Sequence, residues 1–126
     1  LNDNIAGTTA ITNDLSYDEI FVEQLKTYLS PGDVVIGISG SGNSENVLRA
    51  VKWAKNNGAK TIGLTGYKGG RLIAVADLTL LVPIQDMEIT EDAHTIVFHA
   101  IKQEVNRRIK GDQYSMGSAY DNRINQ

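Results

Sequence analysis

Short runs of apolar side chains recur along the chain and predict strands. Three of these runs are rich in β-branched residues and leucine, as is typical of strands covered on both faces of a parallel sheet. They lie at residues 34–38, 61–65 and 78–82. The run at 34–38 (VVIGI) carries no polar side chain, so it predicts a central strand. A fourth segment, TTAIT at 8–12, is β-prone and predicts a further short strand.

Between these runs, apolar residues recur at a spacing near 3.6 and predict helices. The helical stretches are 17–29, 44–57, a short segment at 69–76, and 90–109. Asn57-Gly58 predicts the end of the helix at 44–57, because asparagine and glycine readily adopt the left-handed conformation that ends helices. Strands that alternate with helices over short connections imply right-handed crossovers. The predicted fold class is therefore α/β, a three-layer αβα arrangement on an open parallel sheet with helices on both faces.

The length of 126 residues suits a single domain. We assign residues 1–110 to that domain because they hold the periodic pattern. Residues 111–126 have little periodicity and predict a C-terminal tail, either an extended end or an arm used in an oligomer. The chain begins with Leu1 instead of methionine, so we expect it to start inside a longer protein.

Composition excludes several classes of function. No apolar run approaches the roughly 20 residues that span a bilayer, so no membrane is expected among the partners. A net charge of -3 with scattered basic residues disfavours nonspecific binding of nucleic acid. The absence of cysteine excludes disulfides, thiolate catalysis and cysteine-ligated zinc. No signal peptide opens the sequence, which predicts a cytoplasmic location.

The most informative motif is the turn SGSGNS, which lies between a predicted strand and a predicted helix. In open parallel sheets, ligands bind beyond the carboxyl ends of the strands. Glycines let a ligand approach the backbone, the helix start offers unpaired N–H groups, and the serines add hydroxyl donors. The turn lacks lysine and arginine, so it predicts a site of neutral donors for a phosphate monoester. Its residues are Ser39, Gly40, Ser41, Asn43 and Ser44.

Three other interpretations of this turn compete with phosphate binding. A Walker loop requires Gly-Lys-Ser/Thr, which is absent. A dinucleotide fingerprint wants a third glycine where Glu45 stands, and an acid after the next strand, so no nucleotide cofactor is expected. A plain strand-to-helix turn with a helix cap also uses serine, glycine and asparagine, and this alternative stays open.

The helix at 90–109 carries both histidines, His94 and His99. Five residues apart, they face about 140° apart and do not serve one site. An oxygen-plus-imidazole site is geometrically possible for His99 with Glu91 or Asp92, although a lone histidine on such a helix is more often structural.

Two other polar pairs have both functional and structural interpretations. Asn13 and Asp14 follow the first predicted strand, where they would either contact sugar hydroxyls or only form a turn. Lys68 and Arg71 flank a glycine pair and are interpreted as a solvated turn more readily than as cations of the site.

The segment GISGSGNSENVLRAVKWAKNNGAKTIGLTG resembles the signature of SIS (sugar isomerase) domains, and residues 11–109 are similar to phosphoheptose isomerases. The resemblance implies a flavodoxin-like SIS fold and a homotetramer, or another homo-oligomer, with active sites at subunit contacts. It also implies an enzyme that interconverts sedoheptulose 7-phosphate and an aldoheptose 7-phosphate through an enediol.

The resemblance also implies roles for individual residues. Ser39, Ser41 and Ser44 would bind the phosphate. His99 would match a catalytic and zinc-binding histidine, and Glu91 would stand where the family often has a metal-binding or catalytic glutamine. Zinc, held by Glu91 and His99, is the cofactor that the resemblance implies.

The chain departs from the family pattern in three respects. Gly40 replaces the usual threonine, and Glu91 replaces glutamine, which changes the charge beside any metal. The family also has upstream helices, a first strand with another phosphate-binding serine, and a glutamate base, none of which precedes Leu1. The alternative function is therefore a noncatalytic SIS module that binds a sugar phosphate for regulation or assembly.

Overall fold

The computed structural model describes residues 1 and 3–111, and the chain divides into two compact units, Leu1–Thr90 and Glu91–Gln126. Helices and strands alternate, as predicted. In chain order the elements are α1 (Ile5–Asp14), a 3-10 turn (Tyr17–Glu19), α2 (Ile20–Tyr28), β1 (Val34–Ser39), α3 (Glu45–Asn56), β2 (Lys60–Gly66), α4 (Leu72–Val75), β3 (Leu78–Val82) and α5 (Met87–Lys110).

The three strands form one parallel sheet in the order β1-β2-β3, which confirms the predicted open α/β sheet. Val34 pairs with Lys60, and Ile62 pairs with Leu78. The prediction that residues 34–38 form the central strand is wrong for this sheet, because β2 lies in the middle. Val34 and Ile38 are also exposed among the described residues, so the expected cover on both faces of β1 is incomplete here. An apolar run carries no information about how many neighbours a strand has.

Helices α3 and α4 pack on one face of the sheet through closely spaced backbone. A Cβ built on Gly37 would lie 2.5 Å from Val51 Cγ2, and one on Gly63 would lie 2.9 Å from Leu72 Cγ. Val51 and Leu72 are fully buried. The two strand glycines therefore let both helices approach the sheet closely, and this fixes the start of α3 beside the end of β1.

A charged contact ties the start of β2 to the segment before β3. The Asp77 carboxylate accepts hydrogen bonds from the Thr61 amide at 2.9 Å and the Thr61 hydroxyl at 2.8 Å, and it pairs with Lys55 Nζ at 2.9 Å. The bonds from Lys55 and then Thr61 lower the pKa of Asp77 to about 2. Asp77 therefore stays ionised at neutral pH and holds the two chain segments in register.

The predicted strand at 8–12 is wrong, because this segment lies within α1. The helix is capped by Asn4, whose side chain accepts the Gly7 amide at 2.8 Å. Its threonines bond back to the preceding turn, with Thr12 Oγ1 donating to the Thr8 carbonyl at 2.8 Å. This back-bonding satisfies the hydroxyls within a helix, so β-branched composition did not decide the structure.

Asn13 and Asp14 consequently end a helix and do not follow a strand. Asn13 Nδ2 donates to Asp14 Oδ1 at 2.9 Å, as in a local turn contact. The premise that placed this pair at the carboxyl edge of the sheet is wrong, while its contact with a sugar stays a prediction.

In the second unit, residues 91–110 continue α5 as predicted. Glu104 accepts bonds from Arg107 and Arg108, and these bonds lower its pKa to about 2. The predicted tail at 111–126 lies outside the described residues except for Gly111. Among the helices that the structure describes, none is both long and apolar enough to cross a membrane.

Candidate functional site

Three loops meet beyond the carboxyl ends of the strands. The amide of Gly66, the last residue of β2, donates to the Gly40 carbonyl after β1 at 2.8 Å, and the Leu72 amide donates to the Gly42 carbonyl at 3.0 Å. The Tyr67 amide donates to the Ile84 carbonyl, which follows β3, at 3.2 Å. The loop after β1, residues 39–44, is therefore supported by its neighbour and is not a free turn. We call it the serine loop.

The serines of this loop have different environments. Ser39 is buried, and its hydroxyl donates to Ser44 Oγ at 3.0 Å and accepts the Ser44 amide at 3.4 Å. Ser41 Oγ accepts the Asn43 amide at 3.2 Å. Ser41 and Ser44 are exposed. Ser39 thus braces the loop, while Ser41 and Ser44 lie at its surface, where a ligand would arrive.

The start of α3 supplies further donors beside these hydroxyls. The Val47 amide bonds to its neighbour Asn46 Oδ1 at 2.9 Å, and the Leu48 amide bonds to the Ser44 carbonyl at 3.0 Å. Among the bonds within the described residues, none uses the amides of Glu45 and Asn46. Unpaired amides at a helix N-terminus favour an anion through their direction and the helix dipole.

The plain helix-cap interpretation is not supported at Ser44. Ser44 directly precedes α3, yet within the described part of the chain its side chain makes no capping bond to the helix. Its hydroxyl instead accepts from Ser39. The amides of Glu45 and Asn46 are thus unbonded among the described residues, as an anion site needs, and Asn46 itself is buried with 7% of its surface exposed.

Two glycines bring the serine loop against the turn after β2. Gly42 has φ +68°, and a Cβ there would lie 2.0 Å from the Gly69 carbonyl oxygen. Gly70 has φ +55°, and its Cβ would lie 2.5 Å from the Ser41 carbonyl oxygen. Only glycine fits these left-handed positions at this separation, so the two loops form one packed backbone unit.

Asn43 has a bracing function that the sequence did not indicate. Its Nδ2 donates to the Ser41 carbonyl at 3.0 Å, and its Oδ1 accepts the Arg71 amide at 3.1 Å. The predicted contact of Asn43 with a ligand stays a prediction.

Arg71 contacts the serine loop, and the interpretation of this residue as part of a solvated turn is incomplete. Its Nη2 donates to the Asn43 carbonyl at 3.2 Å and to Glu45 Oε2 at 2.8 Å. The bond from Arg71, followed by that from Arg49, lowers the pKa of Glu45. The feature of the sequence that could have indicated this contact is Glu45, an acidic residue in the first turn of α3. In the structure it pairs with Arg71.

The lack of a side chain at position 40 is explained by Met87, the first residue of α5. A Cβ on Gly40 would lie 2.2 Å from Met87 Sδ. The methionine therefore occupies the volume that a side chain at position 40 would need, and a threonine there would require Met87 to move.

A cavity of about 430 Å³ opens beside the serine loop. Its polar lining includes the exposed Ser41 and Lys68. Its volume falls in the range of small-molecule sites. The lining residues are Ser41, Asn43, Tyr67, Lys68, Gly70, Gln85 and Met87.

The two candidate catalytic residues belong to the second unit. Glu91 and His99 are exposed on α5, whereas His94 is buried with 4% of its surface exposed. The two histidines thus have different environments, as their spacing predicts.

The described residues do not form a self-contained zinc site. Glu91 and His99 lie eight positions apart on α5, and together they would supply only two of the four ligands that zinc usually takes. Across the residues that the structure describes, no group of three or more His, Cys, Asp or Glu side chains is placed to hold a metal ion.

Comparison with known proteins gives consistent results. The family model for the SIS domain matches residues 1–66. The chain is 48% identical over 101 residues to a probable phosphoheptose isomerase of Thermoplasma acidophilum, covering 80% of this chain and 56% of the relative. It is 41% identical over 109 residues to a phosphoheptose isomerase of Aliarcobacter butzleri, covering 86% and 58%. The chain thus spans little more than half the length of these relatives.

The solved structures that this chain resembles are also phosphoheptose isomerases. A phosphoheptose isomerase from Neisseria gonorrhoeae superposes with a TM-score of 0.76 at 38% identity, covering 78% of this chain and 55% of that one. One from Francisella tularensis also has a TM-score of 0.76, at 31% identity, covering 79% and 53%. These likenesses confirm the predicted fold.

Proposed function

Because the chain belongs to the SIS domain family, we propose that it acts in a sugar-phosphate isomerase of the phosphoheptose type. The substrate pair is sedoheptulose 7-phosphate and an aldoheptose 7-phosphate. The phosphoheptose isomerases that the chain resembles in sequence and structure support this substrate class. The single observation that carries the proposal is the serine loop, which places the exposed Ser41 and Ser44 next to the start of α3, where the amides of Glu45 and Asn46 make no bond among the described residues.

The serine loop suits the phosphate end of such a sugar. Ser41 and Ser44 supply hydroxyl donors, and Glu45 and Asn46 supply amide donors at the positive end of the α3 dipole. A phosphate monoester needs several converging donors, and neutral donors bind it without the metal and lysine that triphosphate chemistry uses. The cavity lined by Tyr67 would hold part of the sugar chain.

The chemistry of this reaction needs a base and an acid near neutrality. A proton leaves C1 of the ketose to give an enediol and is returned at C2, while a hydroxyl proton moves from O1 to O2. Histidine is suited to this task because its pKa lies near the working pH. We propose His99 as the proton-transfer residue and Glu91 as its acidic partner.

The cellular setting is proposed on the same basis. A homo-oligomer, dimer or tetramer, in the cytoplasm is the expected form. Zinc is proposed only as a shared ion, with Glu91 and His99 among its ligands and the remaining donors supplied from outside the described residues. No step of the reaction is assigned to the metal.

A noncatalytic sugar-phosphate-binding module is the second candidate. The serine loop lies within the unit Leu1–Thr90, whereas Glu91 and His99 lie in the other unit. A binding site built within one unit favours ligand binding independent of turnover. Such a module would sense a sugar phosphate or control assembly.

Turnover of sedoheptulose 7-phosphate separates the two candidates. We expect the full-length protein to form an aldoheptose 7-phosphate, measured by NMR of the sugar, and His99→Ala to slow this at least ~100-fold through loss of proton transfer. The exposed Lys102 on the same helix gives the control, since Lys102→Ala should leave the rate unchanged. Binding without product would favour the noncatalytic module. Equal rates for His99→Ala and the wild type would contradict the role of His99.

A further inference from the structure

We propose that Arg71 is a positioning residue of the phosphate site, whose guanidinium holds the serine loop in its ligand-binding conformation. The inference rests on the proposed function, because it assumes that the serine loop binds the phosphate. Arg71 follows β2 and lies 28 positions after Asn43, so it belongs to a different loop from the one it contacts.

The geometry of the guanidinium suits this role. One nitrogen, Nη2, bridges the Asn43 carbonyl at 3.2 Å and Glu45 Oε2 at 2.8 Å. These two acceptors lie on either side of Ser44, which carries one of the ligand hydroxyls. A single donor that holds both flanks of Ser44 limits the rotation of the peptide units on either side of it.

The backbone of Arg71 is itself anchored to the serine loop. Its amide donates to Asn43 Oδ1 at 3.1 Å, and the next amide, of Leu72, donates to the Gly42 carbonyl at 3.0 Å. Leu72 is fully buried in the core. The backbone of Arg71 is therefore held in place. Its guanidinium contacts can then keep the serine loop in one conformation.

Arg71 also offsets an unfavourable charge. Glu45 lies in the first turn of α3, where its carboxylate would repel an arriving phosphate. Arg71 pairs with one oxygen of the Glu45 carboxylate, and Arg49 pairs with the other. Within the described part of the chain, Arg49 pairs only with acidic side chains, those of Asp18, Glu19 and Glu45, whereas Arg71 also bonds to the serine-loop backbone. This difference gives a matched pair of variants.

The arginine side chain is 59% exposed, so its ion pair contributes little to stability. A positioning role therefore predicts a change in affinity without a matching change in Tm. We expect Arg71→Ala to raise the Kd for sedoheptulose 7-phosphate about tenfold, measured by isothermal titration calorimetry. Arg71→Lys should recover part of this affinity, because one ammonium reaches either acceptor but lacks the guanidinium geometry. Arg49→Ala should change the Kd less than about twofold.

The outcomes separate this inference from the function on which it rests. A wild-type chain that does not bind the sugar phosphate would contradict the proposed function and the role of Arg71 together. A wild type that binds while Arg71→Ala binds equally well would overturn the role of Arg71 alone. Equal losses for Arg71→Ala and Arg49→Ala would also overturn it, since the effect would then come from charge and not from the contact with the serine loop.

Discussion

Gly42→Ala should abolish sugar-phosphate binding and lower Tm by about 10 °C or more. Gly42 has φ +68°, a conformation that costs a residue with a Cβ roughly 1–2 kcal/mol. The new Cβ would also lie 2.0 Å from the Gly69 carbonyl oxygen and 2.7 Å from Thr65 Oγ1. Because the closest neighbour is backbone, the two loops would have to separate, and this would displace Ser41 and Ser44 from their positions.

Gly58→Ala is the matched control for this variant. Gly58 has φ +87°, so alanine there meets the same conformational cost, but its Cβ would meet no atom of the described residues within 4 Å. We expect a Tm lower by only about 4 °C, corresponding to ~1 kcal/mol, and unchanged affinity. Thermal unfolding with and without sedoheptulose 7-phosphate measures both quantities. Equal Tm losses in the two variants would show that the contact with Gly69 is unimportant.

The double substitution Ser41→Ala with Ser44→Ala should raise the Kd for a sugar phosphate about 100-fold or more. Each hydroxyl would donate one hydrogen bond to a charged phosphate, and such bonds contribute roughly 1.5–3 kcal/mol each. Both side chains are exposed, so the substitutions remove little packing. The substitutions also remove the acceptors of the Ser39 hydroxyl and the Asn43 amide, so a Tm a few degrees below that of the wild type is expected. The expected result with ligand is a lost thermal shift relative to the unliganded variant, since ligand binding to the folded state raises Tm.

Ser30→Ala is the control for the double substitution. Ser30 is also exposed, and it contacts Asp33 through its main-chain amide at 2.8 Å, a bond that alanine retains. Its affinity should equal that of the wild type. Retention of full affinity in the double variant would mean that the serine hydroxyls do not contact the phosphate.

Much of the fold could be predicted because its signals are local. The runs that form β1, β2 and β3 are short and apolar, and α3 follows a regular helical period that ends at Gly58. The position of the serine loop followed from its place between a strand and a helix. These features depend on neighbours within a few residues, so periodicity and turn residues were sufficient.

The features that could not be predicted depend on distant partners. Arg71 contacts Asn43 across 28 positions, and Met87 fills the space beside Gly40 across 47 positions. No local pattern records such pairs. At α1 the threonines predicted a strand where the structure has a helix. Their hydroxyls bond to carbonyls of the preceding helical turn, so they are satisfied within the helix.

The central claim is that the serine loop and the start of α3 bind the phosphate of a sugar phosphate. The most direct test is a titration of the ¹⁵N-labelled chain with sedoheptulose 7-phosphate, followed by ¹H–¹⁵N NMR, with unphosphorylated sedoheptulose as the control. We expect the amides of Ser44, Glu45 and Asn46 to shift most, and to shift only with the phosphorylated sugar. Amide shifts concentrated away from residues 39–46, or equal shifts with both sugars, would contradict it.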